Sequence, residues 1–323
     1  MKAEDRFVER LRALLPDGGA VLGPGDDAAL VRSVEGLLAA TTDLLVEGVD
    51  FLSGEDPERL GRRAAAVNLS DLAAMGALPE FFLLSIGFPP EKGEDFPLAI
   101  ARGAIARAGE FGAHLVGGDL SAAPQTVISV ALWGRPAGAP LARSGASPGD
   151  RVYVSGHPGH ASAGLRLARA GGARDEDRIL RDAFHDPVPR VPLGAELARH
   201  GLASAAIDVS DGLGIDAARL ARASGVRLVL DQDALPVSRA LRSFASRAGL
   251  DPLDLVLGGG DDYELLFTVP PAAQERLERH AGAFGVPVTR IGRAEEGAGA
   301  VLSNDGALRD IADFGHDHLE PPR

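Results

Sequence analysis

The chain has 323 residues, of which 45% are hydrophobic and 24% charged, enough for two ordinary domains with substantial cores. Lys and Arg number 33 against 46 Asp and Glu, a formal charge of −13. That balance argues against general nucleic-acid binding, which needs basic surface to displace counterions, but it allows phosphate ligands wherever metal cations sit between the negative groups. Cysteine is absent, which excludes disulfides, thiolate metal sites and cysteine nucleophiles.

The N-terminus, Met1-Lys-Ala-Glu-Asp-Arg, leads into an amphipathic pattern (Phe7, Leu11, Leu14) rather than the apolar core of a signal peptide. No apolar stretch is long enough to span a bilayer, so a cytoplasmic chain without membrane association is expected. A first helix ends near Leu15, where Pro16-Asp17-Gly18-Gly19 breaks it. Leu37–Thr42 reads as a strand leading into Asp43. The next helix has Asp56 as N-cap, Pro57 at the first helical position and Glu58 in the first turn. It runs through Leu60, Ala64, Val67 and Leu72 to Gly76 as its C′ residue. Phe81–Ile86 is a buried strand, Pro97–Phe111 an alanine-rich helix, and His114–Val116 and Thr126–Trp133 are strands.

Gly134 to Asp150 is rich in Gly, Pro, Ala and Ser and carries little periodicity, so the domain boundary falls there. This sets an N-terminal domain over residues 1–136 and a C-terminal domain over 137–323. In the second half, strands at Val152–Ser155, Ser204–Asp208, Arg227–Leu230, Glu264–Val269 and Val288–Ile291 alternate with helices near Ala161–Ala170, Leu193–Arg199, Leu213–Ala223 and Ala272–Phe284. Strands mixed with helices in both halves indicate two α/β or α+β domains.

Six short segments share one design, an Asp or two beside Gly or a small polar residue. They are Gly25-Asp26-Asp27-Ala28, Thr41-Thr42-Asp43, Asn68-Leu69-Ser70-Asp71, Gly117-Gly118-Asp119, Asp208-Val209-Ser210-Asp211-Gly212 and Gly259-Gly260-Asp261-Asp262-Tyr263-Glu264. Aspartate is a short, hard oxygen ligand suited to magnesium. Neighbouring glycines let backbone and phosphate approach closely. Any one of these segments alone reads as ordinary turn chemistry. Asp71 lies in an apolar helical stretch where a carboxylate needs a partner, and it takes the functional reading. Asp26 and Asp262, each beside a better-placed Asp, take the structural one. If the carboxylates converge, each pair at about 4 Å repels by roughly 4 kcal/mol at an effective dielectric near 20, so several Mg²⁺ ions would be needed to assemble them.

No G-x-x-x-x-G-K-[ST] loop and no protein-kinase H-R-D or D-F-G set occurs. Ser155-Gly-His-Pro-Gly159, between a strand and a helix, is either an anion site or a plain turn.

Taken in order, GDDAAL (25–30), TTDLLVEGVDF (41–51), AVNLSDLAAMGALP (66–79), GGD (117–119), RSGASPGDRVYVSG (143–156), AIDVSDGL (206–213) and GGGDDYELLFTVP (258–270) resemble the thiamine-monophosphate kinases of the family related to aminoimidazole ribotide synthetase. The resemblance implies ATP-dependent phosphorylation of thiamine monophosphate to thiamine diphosphate. It also implies a two-domain α/β architecture, with an N-terminal ATP- and magnesium-binding domain whose mixed sheet pairs across a homodimer. The active site would lie in the cleft between the domains. Matched by position, Asp27, Thr41, Thr42, Asp43, Asp71, Asp119, Asp208 and Asp211 fall on magnesium ligands, and Gly118, Asp119, Arg143 and Ser210 on ATP contacts. Asp50, Asp261 and His316 fall where the family contacts thiamine phosphate, and Asp43, Asp71 and Arg143 would support transfer.

Two departures stand out. Asp261 replaces a usual Glu, one methylene shorter. His316 replaces a usual aromatic, on which a cationic thiazolium would stack better. His316 and His318 are either a metal pair or part of a solvated tail, and Trp133 and Tyr153 read as core or interface. A phosphate acceptor, with its second pKa about 6, needs no strong base, which favours direct in-line transfer without a phosphoenzyme. The rival readings are a synthetase of the same superfamily, a multi-metal phosphohydrolase, and a non-catalytic acidic metal-binding module. Selenophosphate synthetase and the hydrogenase-maturation relative are disfavoured by the lack of cysteine.

Overall fold

A computed structural model describes residues 10–15, 36–171 and 174–316, and the chain divides into two units. One comprises Met1–Leu72 with Ala77–Pro136, the other Ala73–Gly76 with Ala137–Arg323.

In the first unit, β1 (Ala39–Val46), β2 (Ala77–Phe88), β3 (His114–Ala122) and β4 (Val127–Pro136) form a mixed sheet in the order β1-β4-β2-β3. β4 is antiparallel to both β1 and β2, while β2 and β3 are parallel and therefore need a crossover helix between them. That crossover is α2 (Asp95–Gly109). Helix α1 (Pro57–Ala74) begins where its start signals sit, with the Arg59 N–H donating to Asp56 Oδ1 at 2.9 Å. Its Gly76 adopts φ 66°, the left-handed geometry that ends a helix. The two helices meet backbone to backbone. A Cβ on Gly61 would fall 1.8 Å from the Ile100 carbonyl oxygen, and one on Gly103 would fall 1.8 Å from that of Glu58. Only glycine fits either position.

Alternation along the strands separates two faces. Phe82, Leu84 and Ile86 of β2 and Ile128, Val130 and Leu132 of β4 are buried. The opposite face carries exposed Leu44 and Leu78, with Phe81 stacked on Trp133 at 5.4 Å. All four strands run further than the sequence suggests, and in two of them the extension takes in site residues. β1 continues past Thr42 to Val46, pairing Asp43 with Val130, and β3 continues past Val116 through Gly117-Gly118-Asp119 to Ala122. Asp43 and Asp119 are thus residues of strands rather than of the loops after them.

The second unit holds a seven-stranded mixed sheet in the order β11-β10-β7-β9-β5-β8-β6. Its strands are β5 (Arg151–Ser155), β6 (Ala205–Val209), β7 (Arg227–Asp231), β8 (Glu264–Val269), β9 (Val288–Glu295), β10 (Gly299–Asn304) and β11 (Ala307–Asp310). Among the described residues of this sheet, only β7 and β10 pair in parallel. Around it lie α3 (His160–Ala170), α4 (Arg178–His185), α5 (Val191–Arg199), α6 (Leu213–Ser224), α7 (Arg239–Ala248), α8 (Pro252–Gly258) and α9 (Gln274–His280). β6 and β8 are buried along their whole lengths, and Ile207, Val209 and Leu266 join Leu213 and Leu220 of α6 in the core. No helix among the described residues is long and apolar enough to cross a membrane.

Candidate active site

On the first unit, residues of β1 and α1 build an acidic corner. Thr41 and Asp43 alternate with the exposed Thr42 and Leu44, so they share the partly buried side of β1. The Thr41 hydroxyl donates to Asp71 Oδ2 on α1 in a short hydrogen bond. Asp50 closes the corner from the following turn, its Oδ2 accepting the Val46 N–H at 2.8 Å. Asp43 is pushed up to about 7, first by burial and then by the charges of Asp71 and Asp50. Glu47, four residues on, shows the contrasting case. Burial raises it too, but hydrogen bonds from Thr126, Lys92 and Ser53 hold it at about 2. Lys92 Nζ lies 3.0 Å from its Oε2. Glu47 is a satisfied structural carboxylate, whereas the charges acting on Asp43 are themselves negative. Oxygen-only donors of this kind suit magnesium.

Thr42 behaves differently from its neighbours. Its hydroxyl donates to the Val130 carbonyl at 2.9 Å, on the face opposite Asp43. Asn68 is fully buried and donates to the Ala64 carbonyl at 3.0 Å, a packing role inside α1. Asp27, with its neighbour Asp26, lies outside the described residues.

Gly118 and Asp119 occupy β3, the sheet edge opposite β1. Register places Asp43, Val130, Leu84 and Gly118 in one cross-strand row. Three strand intervals of about 4.8 Å separate the ends of that row by roughly 14 Å, too far for one ion to touch both Asp43 and Asp119 of the same sheet. The N-terminal carboxylates therefore form two groups within this unit. Gly118 also has a purely structural reason to be glycine, since a Cβ there would meet the Leu84 carbonyl oxygen at 1.8 Å.

On the second unit, three separate segments are braided. Asp208 is buried on β6 opposite Leu265. As the chain leaves β6, the Ser210 carbonyl accepts the Asp261 N–H at 2.7 Å, and the Val209 carbonyl accepts the Tyr263 N–H at 2.9 Å. The Asp211 carbonyl accepts the His316 N–H at 2.9 Å. Ser210, Asp211, Asp261 and His316 are thereby brought together. Asp261 and Tyr263 sit in left-handed backbone at φ 66° and 51°, and the Tyr263 hydroxyl donates to Asp261 Oδ1 at 2.9 Å. The His316 side chain is exposed, while the nearby Phe314 ring is covered by Arg309 at 4.5 Å. His318 lies outside the described residues.

The residue that holds the braid is one that sequence reasoning passed over. Asp216, fully buried in the first turn of α6, accepts the N–H groups of Ser210, Asp211 and Gly212 through Oδ2 at 3.2, 3.0 and 3.2 Å. Its Oδ1 accepts from Arg219 at 2.7 Å, and Arg219 also bonds Asp211. Burial and then Asp211 push Asp216 up to about 6, against the pull of Arg219 and the loop amides. The available signal was an Asp at a helix N-terminus followed by Arg at i+3, in a stretch read only as helix.

Asp262 is the N-terminal anchor of α3. Its carboxylate accepts the Gly159 N–H at 2.6 Å and the Ala161 N–H at 3.0 Å. Burial holds its pKa well above the usual range despite those bonds. The helix start after Ser155-Gly-His-Pro-Gly159 is therefore filled by a carboxylate of the same unit. Glu264 belongs to a second structural network, taking both Arg190 Nε and Nη2 at 2.6 Å. Arg143 is exposed beside edge strand β6, where the adjacent Ala142 carbonyl accepts the Ala206 N–H at 2.9 Å. Its own carbonyl is fixed by the Ser224 hydroxyl at 2.9 Å.

Residues 25–135 match the family model of AIR synthase related protein, N-terminal domain, and residues 147–303 match that of the C-terminal domain. The thiamine-monophosphate kinase of Salmonella typhimurium is 38% identical, over 98% of this chain and 97% of its own length. The crystal structure of thiamine-monophosphate kinase from Stenotrophomonas maltophilia K279a is similar with a TM-score of 0.84 at 38% identity, covering 93% of this chain and 96% of that one. A solved structure of AaThiL complexed with AMPPCP and TMP is similar with a TM-score of 0.79 at 34% identity, covering 91% of each chain.

Proposed function

This chain belongs to the AIR synthase related proteins and, within them, to the thiamine-monophosphate kinases, and we propose that it transfers the γ-phosphoryl group of ATP to thiamine monophosphate, yielding thiamine diphosphate and ADP. The observation that carries this reading is the braid of the second unit. It gathers Ser210, Asp211, Asp261 and His316 from three distant segments, the positions assigned to nucleotide, metal and acceptor. A similar chain, 34% identical, binds AMPPCP and TMP.

The roles divide between the two units. Thr41, Asp43 and Asp71 would hold magnesium at the β1 corner, and Asp27 would be a further magnesium ligand by its match to the family. Asp119 would hold it at the β3 edge, and Asp208 and Asp211 beside β6. Thr42 would serve such a site through its backbone, because its hydroxyl is engaged by Val130. Gly118, Arg143 and Ser210 would contact ATP, and Asp50, Asp261 and His316 the acceptor. Bound magnesium supplies charge neutralisation for the phosphates.

The chain's own contribution is alignment. Asp216 fixes the Ser210–Gly212 backbone, Tyr263 orients Asp261, and Arg143 offers a guanidinium to phosphate oxygens. The phosphate acceptor is already ionised near neutral pH, so transfer proceeds directly and in line, without a covalent enzyme intermediate. The apolar face of the first sheet, with exposed Leu44 and Leu78 and half-buried Trp133, would pair with a second copy in a homodimer. A cytoplasmic setting fits these soluble substrates.

The test is the purified chain with ATP, Mg²⁺ and thiamine monophosphate, followed for ADP and thiamine diphosphate. Phosphate release without diphosphate would move the reading to a hydrolase. Absence of both products would move it to a synthetase with another acceptor.

A further inference from the structure

Away from these loops, the second unit carries a cluster of different chemistry. Glu196 near the end of α5, His200 at its C-cap and His280 at the end of α9 turn their ligand atoms toward one point, all within 4.8 Å of one another. Among the described residues it is the only such group of three His or carboxylate side chains. We propose that Glu196, His200 and His280 form a binding site for a borderline transition-metal cation of the zinc class, pinning α5 to α9.

The distances support coordination. Zinc bonds to imidazole nitrogen at about 2.0–2.1 Å and to carboxylate oxygen at about 2.0–2.2 Å, so tetrahedral angles separate neighbouring ligand atoms by roughly 3.4 Å. Here Glu196 Oε2 lies 3.4 Å from His200 Nε2 and 3.5 Å from His280 Nδ1. An ordinary hydrogen bond would bring each pair closer, to about 2.9 Å. The ligands are also supported from outside. Arg199 occupies the other carboxylate oxygen, Oε1, and leaves Oε2 to face the imidazoles. Arg276 of α9 donates to the His200 carbonyl, fixing the backbone of one ligand to the helix that carries another.

Charge points the same way. The ring centroids of His200 and His280 are 4.1 Å apart, so two imidazolium cations would repel each other there, whereas two neutral imidazoles around one divalent ion would not. The end of α5 adds its partial negative charge. The three side chains are between 15% and 36% exposed, leaving the fourth position to water. Magnesium prefers oxygen ligands and would not compete for this site, which separates it from the acidic loops.

The experiment uses the full chain, stripped with EDTA and returned to saturating Mg²⁺, then titrated with Zn²⁺ by calorimetry and with Co²⁺ by visible absorption. One equivalent of Zn²⁺ and an intense tetrahedral cobalt band are expected. His280→Ala and Glu196→Gln should each weaken Zn²⁺ binding by more than the roughly 10–100-fold that loss of an outer-shell partner costs, with the far-ultraviolet circular dichroism and the phosphoryl-transfer rate unchanged. Asp43→Asn should keep both the zinc isotherm and the cobalt band. Zinc binding that persists in His280→Ala and Glu196→Gln, or that Mg²⁺ abolishes in the parent chain, would overturn the site and leave a Glu–His ion pair.

Discussion

Replacing Asp43 by Asn should make the metal-free fold more stable at alkaline pH while removing activity. Asp43 is raised from 3.8 to about 7 by burial and by Asp71 and Asp50. A folded pKa above the unfolded one means that its contribution to stability is complete below about pH 4 and is lost as pH rises through about 7. A shift of about three units corresponds to roughly 4 kcal/mol of unfavourable free energy by pH 8. The substituted amide would carry no charge and escape that cost. In urea with EDTA, the Asp43→Asn variant should therefore exceed the parent by up to about 4 kcal/mol at pH 8, and the gap should close toward pH 4. The single tryptophan reports on the right unit, because Trp133 sits on β4 opposite Ala40 of β1.

Magnesium narrows that gap. A cation bound at about 100 times its dissociation constant stabilises the parent by about 2.7 kcal/mol, and Asp43→Asn should lose most of that gain together with phosphoryl transfer. A variant less stable than the parent in EDTA at pH 8, or a difference that does not change with pH, would refute the reasoning.

Other perturbations separate ligands from scaffolding. Asp71→Asn and Asp211→Asn should each abolish transfer with the circular dichroism spectrum intact; full turnover in both would remove the metal assignment. Asp216→Ala strips three backbone N–H groups and Arg219 of a buried acceptor, and should cost on the order of 3 kcal/mol in urea unfolding while lowering the transfer rate. Asp262→Ala should lose about 2 kcal/mol through the α3 start with KM for ATP unchanged, since that carboxylate is spent on Gly159 and Ala161. Gly61→Ala should lower the thermal midpoint by several degrees, because its Cβ has no room against Ile100.

The sequence signals that proved readable were those with a local cause. Asp56-Pro57-Glu58 starts a helix through its own side chain, and the β8 span Glu264–Val269 matches the observed strand at both ends. β10, β11, α4, α7 and α8 are absent from the sequence reading. α7 packs only Leu241, Phe244 and Ala245 into the core among arginines and serines, and β11 is exposed throughout, so neither has the apolar run that marks an element. β1 and β3 exceed their expected lengths for a different reason. Asp43 and Gly118-Asp119 look like breakers in sequence, but backbone pairing with β4 and β2 carries them as strand.

The acidic residues divide along similar lines. Asp262 and Asp261 are adjacent and chemically identical, yet the Asp262 carboxylate takes the α3 amides and that of Asp261 the Tyr263 hydroxyl. The structural reading of Asp262 agrees with its place at the α3 start, while the left-handed backbone at Asp261 and Tyr263 is absent from the sequence reading. Asp216 shows the converse. It carries no small-residue signature, yet three loop amides converge on it and fix the turn that presents Ser210 and Asp211. A phosphate site built on turns needs a buried carboxylate to hold the turn as well as exposed ones to hold the cation. The second kind advertises itself beside glycine, and the first is hidden inside a helix.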